Sequence, residues 1–258
     1  MKRLTTEIAP SLVATLVIVL AWQFGVREFN VPSYLVPAPT DIASALSRGL
    51  LGGSLWPHIA ATAQAMLGGF LVGCPLGLIA AALLAEFPIL ERTLYPILIA
   101  LQSIPKVALA PIVIVWVGFG LSSKIILVAL MCFFPTFVNA FAGLKSYNSD
   151  LVDMFKVFGA GRWRIFFRIK LPSATRHIFA GLQISAVLAM LGTVLSEMIA
   201  AQRGLGYMIQ SSSLTFDMPM MFACTVILAL IGVLMARLFM YLQKRLVFWE
   251  RDGDIATA

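Results

Sequence analysis

The chain alternates between long apolar runs and shorter polar segments over almost its whole length. The apolar runs cover Ile8–Val26, His58–Ala85, Thr93–Val117, Ile125–Leu144, Ser173–Ala200 and Met220–Gln243. Each run is close to or above the roughly 20 residues that an α-helix needs to cross a bilayer core. Because a helix satisfies its backbone hydrogen bonds internally, the pattern predicts an all-α membrane protein with about six transmembrane helices in a single domain, residues 1–258.

Composition narrows the class of protein. Of the 258 residues, 60% are hydrophobic and 12% are charged, which is more apolar than a soluble protein of this length needs to be. The net charge of +7 would suggest nucleic acid in a soluble protein, but here it indicates basic residues kept on the cytoplasmic side, so we expect no nucleic-acid partner. Cys74, Cys132 and Cys224 lie in separate runs without metal-ligand spacing, so we expect no metal site and no disulfide.

Lysine and arginine predict how the runs are oriented in the membrane. With six spans and a cytoplasmic N-terminus, the basic residues that fall outside are only Arg27, Arg48, Lys124 and Arg203. The cytoplasmic side receives Lys2, Arg3, Arg92, the basic residues of segment 147–172, Arg176, Lys244, Arg245 and Arg251. This asymmetry predicts cytoplasmic N- and C-termini, with 29–57 and 202–218 as external segments. A cleaved signal peptide is the alternative for the first run, but no small-x-small site follows it, so we predict a retained span.

Two features inside the runs predict local structure. Gly69, Gly73 and Gly77 recur every four residues and predict a close helix–helix contact, either within the chain or between chains. Prolines at 105 and 111 interrupt the third run, with Lys106 between them. A broken helix at membrane depth is tolerated where it packs in protein or lines a watery path. Pro105 and Lys106 are therefore candidates for a translocation path, the alternative being that Lys106 snorkels or pairs structurally.

Segment 147–172 is far too polar to lie in lipid and separates the fourth run from the fifth. Its part Asp150–Phe158 contains no Gly or Pro and predicts a short helix, after which residues 159–161, Gly-Ala-Gly, permit a sharp turn. A second short helix is predicted from Arg162 until Pro172 ends it, with its aromatic side chains together on one face. The segment is thus predicted to be a compact cytoplasmic elbow, and we call residues 147–172 the elbow.

The elbow carries the G-x9-I-x-L-P spacing, formed by Gly159, Ile169 and the pair Leu171-Pro172. In this it resembles the signature loop of binding-protein-dependent ABC importer permeases. In that family the loop is the cytoplasmic coupling helix, which docks on the ATPase subunit. The family's Glu-Ala-Ala opening falls on residues 153–155, Asp-Met-Phe, where the acid is kept in type and both alanines are replaced by bulky residues.

The likeness extends over most of the chain. The phrase LVPAPTDIASAL resembles the sulfonate, nitrate and taurine branch of the family, and IPKVALAPIVIVWVGFG resembles the permease family. It implies a type I ABC importer permease fold in the bacterial inner membrane, working by alternating access as a dimer, in the simplest case a homodimer. Two ATPase subunits would bind inside, carrying the ATP and Mg, and a substrate-binding protein would bind outside. The coupling residues that it implies are Asp153, Phe155, Gly159, Ala160, Trp163, Leu171 and Pro172.

An acid lies near the end of the fifth run. Glu197-Met198 followed by Gly204-Leu205-Gly206 resembles a segment of the same branch. A carboxylate in an apolar helix is costly unless it is paired. Arg203 is close enough in sequence to reach it if the chain turns at Gly204, so we predict a Glu197–Arg203 ion pair that braces an outer gate formed by Glu197, Gly204 and Gly206.

The sequence contains none of the common catalytic motifs. There is no phosphate-binding G-x-x-x-x-G-K-[ST] loop, no HExxH and no clustered carboxylates within a run, so we expect no catalytic residues and no cofactor bound by this chain. A self-sufficient secondary transporter or channel is the alternative class, but the chain shows no internal repeat and few buried charges. The solute is expected to be small and anionic, with a vitamin or pyrimidine precursor as the alternative.

Overall fold

The computed structural model describes residues 2–247, with all their side chains except those of residues 2–9, 11, 12 and 200. Within this range the chain is helical and contains no strand. The α-helices are α1 Lys2–Glu28, α2 Pro39–Leu51, α3 Trp56–Glu86, α4 Pro88–Gln102, α5 Ala110–Val117, α6 Leu121–Lys145, α7 Ser149–Val157, α8 Arg162–Ile165, α9 Leu171–Ala200, α10 Leu205–Leu214 and α11 Met218–Leu246. Arg251, which we predicted to be cytoplasmic, lies outside the described residues.

The predicted apolar runs are all helical. Four helices are long and apolar enough to cross a membrane, namely α3, α6, α11 and the continuous helix Arg162–Ile199, and the bent pair α4–α5 makes a fifth candidate. The first predicted run forms α1. These helices confirm the predicted all-α membrane fold.

Helices α3, α6 and α9 form the centre of the bundle, and small residues set how closely they approach. A Cβ atom added at Gly69 would lie 2.3 Å from Val128 Cβ, and one at Gly73 would lie 2.3 Å from the Ala129 carbonyl oxygen. At Gly77 the nearest atom would be the Phe133 carbonyl oxygen, at 2.6 Å. The glycine face therefore packs directly on the α6 backbone, so the predicted close contact exists and lies within the chain.

The third run breaks where Pro105 predicts a break. Helix α4 ends at Gln102, a 3-10 turn covers Lys106–Leu109, and α5 leaves at 89° to α4. Pro111, in contrast, does not interrupt a helix, which corrects our expectation. It lies in the first turn of α5, where the missing N–H has no intrahelical partner to lose.

The elbow begins at α7, where the Asn148 side chain accepts hydrogen bonds from the backbone N–H groups of Asp150 and Leu151 at 2.8 and 3.3 Å. Our prediction that Pro172 ends the second helix is wrong. The helix continues from α8 through a π-helical turn, Phe166–Lys170, directly into α9. In this wider turn the Leu171 N–H donates to the Phe166 carbonyl, so the residue without an N–H is accommodated and the helix is not stopped.

Candidate functional site

The elbow has a small apolar core of its own. Val152 of α7 packs with Ile165 and Ile169 of the returning helix, and all three are buried. Phe155 and Ala160 pack against this core, so both of these predicted coupling residues point at least partly inward. Gly159 has φ +73°, a left-handed conformation that glycine adopts without strain and that turns the chain back toward α8. The predicted sharp turn is thus confirmed.

The opposite side of the elbow is apolar and exposed. Val157 is 86% exposed and Phe158 is 80% exposed. Trp163, which follows the Gly-Ala-Gly turn, is also largely exposed. Trp163, Phe166 and Phe167 lie together, as predicted, with ring centroids 5.1–6.3 Å apart. Sequence reasoning did not single out Val157 and Phe158, although two apolar residues directly before a Gly-Ala-Gly turn in a polar segment are a usable signal.

Asp153, the predicted counterpart of the family's glutamate, is exposed on α7. Its Oδ1 accepts a hydrogen bond of 2.8 Å from Lys156 Nζ. This bond raises the pKa of Lys156 above its ordinary value. Leu171 and Pro172 are half-buried where the π-helical turn joins α9, so they belong to the base of the elbow and not to its exposed side.

A carboxylate at the end of α3 holds the elbow. Glu86 Oε2 accepts from Arg162 Nε at 2.8 Å, and Glu86 Oε1 accepts from Lys170 Nζ at 2.6 Å. The Arg162 guanidinium also lies 4.4 Å from the Phe87 ring centroid, and the Lys170 ammonium lies 5.0 Å from that of Tyr147. We call these five residues the Glu86 cluster.

Sequence reasoning missed the Glu86 cluster. It gave Glu86 no role, although a usable signal was present. Glu86 ends an apolar run on the side where the orientation rule places the basic residues of the elbow.

The broken helix places Lys106 between α4 and α6. Its Nζ donates to the Gln102 carbonyl oxygen and lies 4.8 Å from the Phe134 ring centroid. The side chain is half-buried, and Pro105 just before it caps the 3-10 turn. These contacts are structural interactions of the kind that we named as the alternative role for Lys106. Lys106 nevertheless lies at the helix break, as the first role requires.

Near the start of α3, a second carboxylate, which belongs to α9, is fully enclosed. The Glu197 side chain is 0% exposed. Its oxygens lie 2.9 and 3.0 Å from the Thr62 hydroxyl, which donates to them, and Oε2 accepts from the Gly206 N–H at 2.9 Å. Lys124 Nζ lies 3.6 Å from Glu197 Oε1. We call Thr62, Lys124, Glu197, Gly204 and Gly206 the Glu197 cluster.

The predicted Glu197–Arg203 ion pair is wrong. The basic partner is Lys124 of α6, whose Nζ also donates to the Arg203 carbonyl oxygen at 2.9 Å. The Arg203 side chain is exposed and borders an open cavity of about 720 Å³ that Lys124 also lines. Closeness in sequence suggested Arg203 as the partner of Glu197. The turn after α9 instead directs the Arg203 side chain away from Glu197 and the Arg203 carbonyl group toward Lys124.

Gly204 and its neighbours close the Glu197 cluster. Gly204 has φ +137°, and a Cβ atom there would lie 2.1 Å from Glu197 Cδ, so only glycine fits. The Leu205 N–H donates to Thr62 Oγ1 at 2.8 Å, and the Gly204 N–H lies 3.1 Å from His58 Nδ1. The predicted members Glu197, Gly204 and Gly206 thus meet in one place, joined by Thr62 and Lys124, which sequence reasoning missed. His58, near the start of α3, contacts this turn through the Gly204 backbone.

The architecture is the type I ABC importer permease fold. A chain of the MetNI methionine ABC transporter in an inward-facing conformation superposes with a TM-score of 0.59 and 22% sequence identity, over 78% of this chain and 96% of that chain. A second crystal form gives a TM-score of 0.58. Residues 73–248 match the family model described as "Binding-protein-dependent transport system inner membrane component", and the chain belongs to this family.

Individual relatives agree with the family. The chain is 37% identical to the riboflavin transport system permease protein RibX of Chloroflexus aurantiacus, over 92% of this chain and 89% of that protein. It is 34% identical to the formylaminopyrimidine transport permease protein ThiX of Halalkalibacterium halodurans, over 97% and 99%. It is 30% identical to the putative aliphatic sulfonates transport permease protein SsuC of Bacillus subtilis, over 92% and 86%.

These likenesses confirm the predicted family and the main predicted function. The chain is a multi-pass membrane permease component of an ABC importer, and as such a transport subunit and not itself an enzyme.

Proposed function

We propose that this chain couples ATP hydrolysis on separate ATPase subunits to import of a small solute, with the elbow as the docking element. The observation that supports this most strongly is the exposed apolar side of the elbow, formed by Val157, Phe158 and Trp163. Exposed apolar patches outside a membrane mark sites that another protein covers. Asp153 lies on the same helix and would add a charged contact at the rim.

The position of the elbow supports a protein partner over lipid. Arg162 and Lys170 of the elbow both contact Glu86, which directly follows the apolar part of α3. The returning helix also carries Arg164 and Arg168, so it holds more charge than a hydrocarbon environment tolerates. These charges favour a position of the elbow at the polar edge of the bundle, where the ATPase subunits of an importer would bind on the cytoplasmic side.

Co-purification tests this proposal. With the ATPase subunit co-expressed, Phe158→Asp should reduce the ATPase recovered with the chain by about tenfold or more, because a charge would enter an apolar interface. Leu51→Asp is the matched control, since Leu51 is equally exposed but lies at the end of α2, far from the elbow in the chain. Undiminished recovery with Phe158→Asp, or an equal loss with Leu51→Asp, would contradict docking through the elbow.

The proposed coupling role also implies the composition of the complete importer. Two copies of the chain would enclose the path, a substrate-binding protein would deliver the solute to the external segments 29–57 and 202–218, and both termini would be cytoplasmic. The helix break at Pro105 and Lys106 would border the path, and the Glu197 cluster would brace its outer gate. The mass of the purified complex should then correspond to two permease chains of 28.0 kDa plus two ATPase subunits.

The solute class has two candidates. Lys106 and the resemblance to the sulfonate branch favour a small anion. The higher identity to proteins named for riboflavin and formylaminopyrimidine transport, 37% and 34% against 30%, favours a vitamin or pyrimidine precursor. Uptake of labelled taurine and of labelled riboflavin by proteoliposomes holding the complete transporter separates the two. Uptake by the chain alone, without ATPase, would contradict the importer proposal and favour a secondary transporter or channel.

A further inference from the structure

We infer that helix α3 links the elbow to the turn at Gly204–Gly206, with Glu86 as the positioning residue that attaches α3 to the elbow. The inference rests on the proposed coupling role of the elbow. It adds the route by which a displacement of the elbow reaches the far side of the bundle, and it assigns this role to a residue outside the signature loop.

The attachment at the elbow is a two-point contact. Each oxygen of the Glu86 carboxylate is held by a different cation, Arg162 at 2.8 Å and Lys170 at 2.6 Å. The two cations come from the first residue of α8 and the last residue of the π-helical turn, so the carboxylate bridges the whole returning helix of the elbow. The Glu86 side chain is only 4% exposed. Such a contact fixes the direction of the elbow relative to α3, and not only its distance.

The chain would transmit elbow motion to α9 even without Glu86, because the elbow continues into α9 without a break. For α3 the situation differs, since its covalent neighbours are Phe87 and α4. The end of α3 meets the elbow through an apolar cluster that includes Leu84, Ala85 and Phe166, and through the Glu86 cluster, which supplies the polar and directional part of the contact. Motion of the elbow should therefore carry α3 with it most closely while the Glu86 cluster is intact.

Helix α3 is built to move as one piece. It spans 31 residues, about 45 Å at 1.5 Å per residue. Pro75 removes one internal hydrogen bond, but Gly73 and Gly77 on either side pack directly on the α6 backbone. The helix is braced at its weakest point, so α3 and α6 should shift together and not bend at Pro75.

The far end of α3 holds the turn that closes the Glu197 cluster. The Thr62 hydroxyl donates to Glu197 and accepts from the Leu205 N–H at 2.8 Å. His58, one turn earlier on α3, contacts the Gly204 backbone at 3.1 Å. Lys124 of α6 contacts the same turn through the Arg203 carbonyl. A shift of the α3–α6 pair would therefore act directly on the segment that begins α10.

The first measurement concerns the attachment itself and needs no ATPase. Spin labels are placed at Val157→Cys on the elbow and Leu83→Cys near the end of α3, both exposed positions, in a chain whose three native cysteines are replaced by alanine. Glu86→Gln should broaden the distribution of distances between the two labels. Glu86→Asp should keep this distribution nearly as narrow as in the chain that carries Glu86. Glu91→Gln is the matched control, because Glu91 forms a more exposed ion pair with Lys145 on the same side of the bundle.

The second measurement concerns transmission. In the complete transporter, Glu86→Gln should leave ATPase recovery and hydrolysis near wild type but lower the solute imported per ATP hydrolysed by about three- to tenfold, which lies within the range of coupling that a single residue contributes. Glu91→Gln should leave this ratio unchanged. If Glu86→Gln fails to reach the membrane, Lys170→Gln, which leaves Arg162 on Glu86, takes its place with a smaller expected loss.

The outcomes separate the inference from the function on which it rests. Unchanged label distances in Glu86→Gln, or an unchanged ratio of import to hydrolysis, would overturn the role of Glu86. An equal fall of the ratio in Glu91→Gln would overturn it as well. A wild-type complex that imports solute without hydrolysing ATP would instead overturn the proposed function, and with it the transmission through α3, whatever the label distances show.

Discussion

Two buried carboxylates lie at opposite ends of α3 and are stabilised in different ways. Glu86, at the elbow end, faces two cations at 2.8 and 2.6 Å, of which Arg162 is well exposed to water and Lys170 is mostly shielded. Glu197, at the other end, is enclosed and has its cation, Lys124, at 3.6 Å. Its closest partners are neutral donors, the Thr62 hydroxyl and the Gly206 N–H, both at 2.9 Å. One site is an ion pair with a solvent route, and the other is a carboxylate held mainly by neutral groups.

The different partners of the two carboxylates determine what each site can do. Neutral backbone and hydroxyl donors belong to fixed elements, so the Glu197 cluster holds one geometry, the left-handed turn at Gly204. Long basic side chains keep rotamer freedom and can be rehydrated, so the Glu86 cluster can follow a moving elbow without a large energetic penalty. The Glu197 cluster should therefore matter more for stability, and the Glu86 cluster more for coupling.

The largest expected effect tests this division directly. Glu197→Ala should lower the free energy of unfolding by about 3–5 kcal/mol, because it leaves Lys124 and the Gly206 N–H buried without the carboxylate. Glu86→Ala should cost roughly 2 kcal/mol or less, because Arg162 already reaches water and only Lys170 is left in a shielded position. Thermal unfolding of both purified variants in the same detergent measures the two losses. Equal losses would show that exposure of the cations does not distinguish the sites.

A smaller effect separates crowding from backbone conformation. Gly204 and Gly159 both have positive φ, at +137° and +73°. At Gly204 an added Cβ would strike Glu197, whereas at Gly159 it would meet nothing within 4 Å. Gly159→Ala should therefore cost only the conformational strain, about 1 kcal/mol, and Gly204→Ala about 1–3 kcal/mol for its backbone plus the clash.

The same unfolding measurement compares the two glycines, and the wild-type chain provides the reference. A Gly159→Ala loss equal to or larger than that of Gly204→Ala would contradict the crowding at the Glu197 cluster. Since Gly159 shapes the elbow, this variant should show its main effect on ATPase recovery and not on stability.

Much of the fold follows from local pattern. The apolar runs predict the helices, the glycines at 69, 73 and 77 predict the α3–α6 contact, and Pro105 predicts the broken helix. These signals act over a turn or two of chain, so the sequence contains them in readable form. Pro172 misled because a helix can absorb a proline by widening the turn before it, and the cost of that turn depends on packing that no local pattern displays.

The long-range contacts were harder to predict. Glu86 meets Arg162 and Lys170 across 76 and 84 residues. Glu197 meets Lys124 of α6 and not the nearby Arg203, because the direction of one turn decides which group faces the carboxylate. The orientation rule places Glu86 on the side of the elbow cations, but it does not choose among Arg162, Arg164, Arg168 and Lys170. That choice is made by the helix packing of the folded bundle.

The smallest expected effect divides the Glu86 cluster between its two cations. The side chain of Arg162 is 46% exposed, whereas that of Lys170 is 14% exposed. A surface ion pair contributes little because water competes with it, so Arg162→Gln should cost about 0.5 kcal/mol in unfolding free energy. Lys170→Gln should cost about 1 kcal/mol, since its hydrogen bond to a charged oxygen is better shielded. Denaturant unfolding of the two variants, with Arg164→Gln as an exposed control, measures the difference. If Arg162→Gln proved as costly as Lys170→Gln, solvent access would not determine how much each cation of the Glu86 cluster contributes to stability. The contrast with the Glu197 cluster would then depend on the geometry of the partners alone.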